Sequence, residues 1–154
     1  QIKEALQLLQ NLGISPQPTW MPFTPWTSLA DYIEFLAWVK EQELIPFIPA
    51  VQFAVRMLVP PGSALLNHPD VENWCGKLDQ ENFTYRWTHA DPKMDELHQI
   101  ISSIAAENQQ ENPYKVFKMI ETETYKIAGK QLPIWNKPLQ NIPSPPKMTE
   151  NWFC

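Results

Sequence analysis

The 154-residue chain contains only four glycines and two cysteines, and just two of its 12 basic residues, Arg56 and Arg86, are arginine. So few glycines leave no room for a Gly-rich phosphate loop, and neither GxGxxG nor a Walker sequence is present. Cys75 and Cys154 are too few for a disulfide framework and form no CxxC pair, which points to a reducing, cytoplasmic setting. HExxH, GxSxG and CxxxCxxC are also missing. A formal charge of −5 and the shortage of arginine argue against a nucleic-acid partner. The longest apolar stretch, Leu44 to Leu66, is broken by Pro46, Pro49, Pro60 and Pro61 and interrupted by Gln52 and Arg56, so no membrane span is expected.

Sixteen prolines, seven tryptophans and 44% hydrophobic residues against 19% charged ones describe a globular chain with one domain's worth of core. Ile2, Ala5, Leu6, Leu9 and Leu12 predict an amphipathic helix, with Gly13 as its left-handed stop. A short strand is expected over Thr19 to Phe23, with Pro22 at its end or at a bulge. Thr27 or Ser28 should cap a helix running to about Leu44, followed by a strand from Ala50 to Val59. Strand, helix and strand at this spacing read as a βαβ unit. Two strands and one crossover do not complete a sheet, so other subunits or a longer parent chain should cover it. Gln1, already inside a helical pattern, adds to the expectation that the chain is a piece of a longer protein.

Beyond Pro60-Pro61-Gly62, Ser63 caps a short helical piece through Asn67, and His68 to Ala90 shows no period and reads as packed irregular structure. Asp91-Pro92 and Asn112-Pro113 are helix starts, the second helix stopping at Gly129. The expected organisation is a βαβ barrel-end segment (1–62), a mainly helical extension (63–131) and an extended Pro-rich tail (132–154). Trp135, Trp152 and Phe153 suggest a tail that docks on a surface. The expected fold class is α/β.

Arg56 is the only charged residue between Leu44 and Leu66. In a strand it shares a face with Gln52 and Ala54, and a buried guanidinium must find acceptors. Two readings follow: a salt bridge to Asp31, Glu34 or another carboxylate, or a cavity in which Gln52 and Arg56 hold a ligand carboxylate or phosphate. His89, with Trp87 and Asp91, forms either a capping cluster or a polar pocket at a helix start. His68, His89, His98 and Cys75 lack zinc-ligand spacing, so no metal site is expected.

Pro22-Phe23-Thr24-Pro25-Trp26-Thr27 before a helix with Asp31-Tyr32, the segment QFAVRMLVPPG from Gln52 to Gly62, and TYRWTHAD from Thr84 to Asp91 occur in that order. Together they resemble the C-terminal portion of the CUAEP/CCAEP-tail radical SAM proteins, and Thr149 to Cys154 looks like the approach to that family's tail. The resemblance implies a parent that cleaves S-adenosylmethionine at a [4Fe–4S] cluster, with cobalamin a further cofactor to consider. No catalytic residue carries over, because the cluster motif is not in this sequence. It implies a segment of partial (β/α) barrel, partnered by the upstream barrel, in which Gln52 and Arg56 face adenosylmethionine or substrate. The alternatives are a stand-alone interaction module, homodimeric if exposed sheet is covered by a second copy, and a small enzyme using His89 and Asp91.

Overall fold

A computed structural model describes residues 2–135. The tail from residue 136 on, with Pro145-Pro146, Trp152, Phe153 and Cys154, lies outside them.

Four long helices form where the apolar spacing and the caps coincide: α1 (Ile2–Asn11), α2 (Leu29–Glu41), α4 (Pro92–Glu107) and α5 (Pro113–Ile127), with the single turn α3 (Val71–Trp74) between α2 and α4. Ser28 and Asp31 make a reciprocal capping box on α2. The Asp91 and Asn112 side chains accept from Lys93 N and Tyr114 N, with proline in the first turn of both α4 and α5. α2 and α5 end in the paired backbone hydrogen bonds of a Schellman turn, with Gly129 the left-handed residue after α5, while α1 closes on the bond from Ile14 N to Leu9 O with Gly13 left-handed. After α2 that position is held by Glu43 (φ 57), compensated by burial of the next residue, Leu44.

The core gathers Tyr32, Leu36 and Val39 of α2, Leu97 and Ile101 of α4, and Phe117 and Ile120 of α5 around Phe23, Leu44 and Phe53. Each such side chain removed from water contributes roughly 1.5–3 kcal/mol. Ile45–Phe47 and Ala50–Phe53 are 3₁₀ turns packed against α5 and α4. The Tyr32 hydroxyl, fully buried, donates to Phe53 O at 2.9 Å and ties α2 to the second turn. That burial pushes its ionisation far above the ordinary range, so it stays a donor.

The expected βαβ unit shrinks to one parallel bridge. Phe23 N donates to Val55 O (3.2 Å) and Met57 N to Phe23 O (2.9 Å), pairing Phe23 with Arg56. Thr19–Phe23 is otherwise not a strand. The Ala50–Val59 strand is overturned over its first half, because Pro49 opens a 3₁₀ turn in which Gln52 and Ala54 N bond locally to Pro49 O and Val51 O. The segment's β-branched residues fit a sheet face, but the local turn bonds win. The even/odd face assignment for Gln52, Ala54 and Arg56 fails with it.

His68 to Ala90 is more regular than expected. β1 (Cys75–Asp79) and β2 (Thr84–Trp87) form an antiparallel hairpin, with Cys75 opposite Trp87 and an irregularity before Leu78. At Gly76 a Cβ would lie 2.9 Å from Arg86 O, so the close approach excludes any side chain. Asp79 fixes the turn: its carboxylate accepts from Glu81 N, Asn82 N, Asn82 Nδ2 and the Arg86 guanidinium. Those bonds hold its ionisation far below the usual carboxylate range. The architecture among the described residues is therefore mixed helix and strand with one small antiparallel sheet; a barrel wall is not seen in it.

Candidate functional site

Arg56 lies where the hairpin meets the helical core. Its Nη1 donates to Asp95 Oδ1 at 2.8 Å and its Nη2 to Trp87 O at 2.8 Å, while the guanidinium carbon stands 3.7 Å from the Trp87 ring centroid. The second Asp95 oxygen accepts from His89 N at 3.0 Å. One carboxylate in the first turn of α4, where the helix dipole favours negative charge, thus joins Phe23–Arg56, β2 and the loop that follows it. The salt-bridge partner is neither Asp31 nor Glu34. Asp31 is engaged by Ser28, whose hydroxyl first and backbone second hold its carboxyl below the usual range.

Gln52 faces elsewhere. Its Oε1 accepts from Trp20 N at 3.1 Å, fixing the segment before Phe23. Gln52 and Arg56 each brace a different crossing of the chain, and neither lines either of the two described concavities. The geometry supports bracing more strongly than ligand capture.

His89 belongs to the helix start. Asp91 N donates to its Nδ1 at 2.9 Å, and Asp91 in turn caps α4. Among the described residues no hydroxyl or thiol is bonded to the ring, and its Nε2 is buried without a partner, so no side-chain nucleophile is paired with it there. His98 is half-buried, its Nε2 3.1 Å from Ala54 O and 3.3 Å from Ser102 Oγ, its ring edge-on to Phe23. Burial lowers its pKa, and the Arg56 charge lowers it further. Partial burial raises the Cys75 thiol above its ordinary value, the opposite of what a reactive thiolate needs. Among the described residues no group of three His, Cys, Asp or Glu side chains is placed to hold a metal ion.

Two polar residues that matter escaped the sequence reading. Asp95 carried no signal of its own among the polar residues of the α4 start. Glu121 did: it lies four residues after Phe117 and three before Thr124, on the stripe that α5 turns inward, and is 1% exposed. Its two oxygens accept from Lys40 Nζ and Trp135 Nε1, and Lys40 also stands 4.9 Å from the Trp135 ring centroid. A buried carboxylate with both oxygens matched is a structural lock between α2, α5 and the segment after α5.

Among the described residues, apolar side chains gather at α1 and between α4 and α5. Ile2, Leu8 and Leu12 of α1 are exposed, and α4 and α5 leave between them a groove of about 660 Å³ floored by Ile100, Ile104 and Met119. No helix among the described residues is long and apolar enough to cross a membrane. Comparison of the chain with protein-family models, with curated proteins and with solved structures finds no match in any of the three.

Proposed function

We propose that this chain is a non-catalytic C-terminal portion of a radical SAM enzyme, supporting a partial (β/α) barrel whose reactive centre is held by another segment. The sequence resemblance of PFTPWT, QFAVRMLVPPG and TYRWTHAD, in that order, is one support. The observation that carries the reading is the parallel bridge between Phe23 and Arg56, reached through α2. Parallel pairing is stable chiefly inside sheets covered on both faces, so a lone parallel bridge suits the edge of a larger sheet. Met21 and Leu58, two residues to either side of it, are exposed large hydrophobics that further strands would cover.

The cofactors of such a parent do not fit the residues described. A [4Fe–4S] cluster needs three clustered cysteines, and Cys75 has no second cysteine in the described chain. The cluster, S-adenosylmethionine and any cobalamin therefore belong to the upstream barrel in this proposal, and no chemical step is assigned to this chain. Gln52 and Arg56 act in it as braces of the wall, since a ligand contact would require Arg56 to leave Asp95. The test is the coding sequence upstream of Gln1. An in-frame CxxxCxxC motif is the expected result; an initiator methionine directly before Gln1 with no such motif overturns the proposal.

A second reading, a stand-alone interaction module, is favoured by a core that closes on residues of this chain alone and by the uncovered apolar face of α1. The same upstream sequence separates the two.

A further inference from the structure

The segment after α5 is held to the fold by one side chain. Lys130 N donates to Tyr125 O in the turn that closes the helix, and beyond it no backbone hydrogen bond joins residues 131–135 to the other described residues. Leu132 and Ile134 face solvent, Ile134 at 86% exposure. Of these five residues only Trp135 packs against the core, its ring 5.9 Å from that of Phe117 and tilted by 67°. A segment with so few contacts belongs to the low end of local stability, whereas α5 beside it carries the fully buried Phe117 and Ile120.

The place that receives the indole matches its chemistry. Glu121 is 1% exposed; one of its oxygens accepts from Lys40 Nζ and the other from Trp135 Nε1. With the indole gone, the second oxygen loses its donor while the carboxylate stays walled by protein, an unfavourable state that an incoming N–H donor relieves. The Lys40 ammonium, 4.9 Å from the indole centroid, favours an electron-rich ring, and indole is the best such group among the aromatic side chains. The edge contact with Phe117 sets the tilt of the ring.

We propose that residues 131–135 are a strap that opens while the helical core stays folded, and that Trp135 is its latch, seated in a slot that recognises an indole N–H donor. The chain's own side chain is then the slot's resident ligand. An indole-bearing small molecule competes with it and holds the strap open. Selectivity comes from Glu121, which needs a donor, and from Lys40, which needs a π face; an apolar ring of the same shape satisfies only the second. The inference concerns the α2–α5 core and is independent of the radical SAM reading.

Hydrogen exchange on the full chain, followed by NMR, tests the strap. The Trp135 indole N–H should be protected at least about a hundredfold less than the amides of Phe117 and Ile120, because it opens locally and they open only with the core. Calorimetric titration tests the slot. Trp135→Ala, made together with Trp152→Phe so that no other tail indole fills the slot, is titrated with indole and with benzofuran, which has the same shape but no N–H. Indole should bind at least about tenfold more tightly than benzofuran, the effect of one hydrogen bond to a charged group. The wild type should need a higher indole concentration for the same response, since its latch competes. Trp135 protection equal to that of the core amides, equal affinity for the two compounds, no binding of indole, or a wild type that responds as the variant does overturns the proposal. If Trp135→Ala fails to fold, Trp135→Phe, a ring without the N–H, takes its place in the titration, with the same outcomes deciding.

Discussion

Around Phe117 the chain is held by volume; around Trp87 it is held by directed bonds. The first region packs side chains from α2, α4, α5 and both early 3₁₀ turns, with Phe53, Phe117 and Trp135 stacked edge to face at 5.6 and 5.9 Å. The second has only Met57, Val59, Trp74 and Trp87 in its buried centre. It is secured by Trp87 Nε1 to Met57 O (2.7 Å), Tyr85 N to Val59 O (2.8 Å), Val59 N to Thr84 Oγ1 (3.0 Å) and the Arg56 fork. Four side chains cannot stabilise a two-stranded hairpin through burial alone, so the small cluster depends on the large one for its position. Arg56 and Asp95 are the joint.

The comparison makes opposite predictions for two substitutions. Phe117→Ala, at a site with no exposure, should cost about 4 kcal/mol through lost transfer energy and the cavity left behind. Because both regions hang on this core, chemical denaturation should show one cooperative transition moved to lower denaturant. Arg56→Met should cost less, about 2 kcal/mol, the scale of a hydrogen-bonded charge that is still partly solvated. Its effect should be local. Amide exchange should accelerate over Cys75–Trp87 and stay slow over α4 and α5. Equal acceleration in both regions would show that the hairpin is no separate unit and break the contrast.

The helices of the volume-held region were legible in the sequence; its 3₁₀ turn at Ala50–Phe53, which reads as a strand, and the bond-held hairpin were not. Helices α1, α2, α4 and α5 announced themselves by period and by caps such as Ser28, Asp91-Pro92 and Asn112-Pro113, because a helix is specified by residues three and four apart. Ser63 and the short turn after it were legible for the same reason, with Ser63 Oγ accepting from Leu65 N. The hairpin strands are five and four residues long, too short for a period, and their partners are set by contacts far along the chain. Thr84-Tyr85-Arg86-Trp87 did carry strand-forming residues; what hid the hairpin was β1, where Gly76 and Lys77 break any alternation. Arg56 was singled out correctly as needing an acceptor, yet which acceptor depended on how α4 lies against Ala50–Phe53, a tertiary fact. The Asp95 and Glu121 partnerships are of the same kind.

His98 sits between the two regions and gives the smallest predicted effect and the sharpest one in pH. Its ring meets Phe23, Ala54 O and Ser102, and the charges that act on it are Arg56 and Asp95. Burial first, and the Arg56 charge second, lower its pKa in the folded chain, while the unfolded chain titrates near the ordinary value of about 6.5. As pH falls through that value the unfolded state takes up a proton that the folded state resists, so folding stability must decrease with acidification. Above about pH 7.5 both states are neutral at this site and the contribution is flat. Denaturation midpoints taken between about pH 7.5 and 5 should therefore decline in the wild type more steeply than in His98→Gln. Placing the same measurement on Arg56→Met tests the joint itself: without the guanidinium, His98 accepts its proton more readily in the fold, and the slope should flatten part of the way towards the His98→Gln line. An Arg56→Met slope identical to wild type would mean that the guanidinium does not act on His98, and that the joint between the two regions transmits no charge across it.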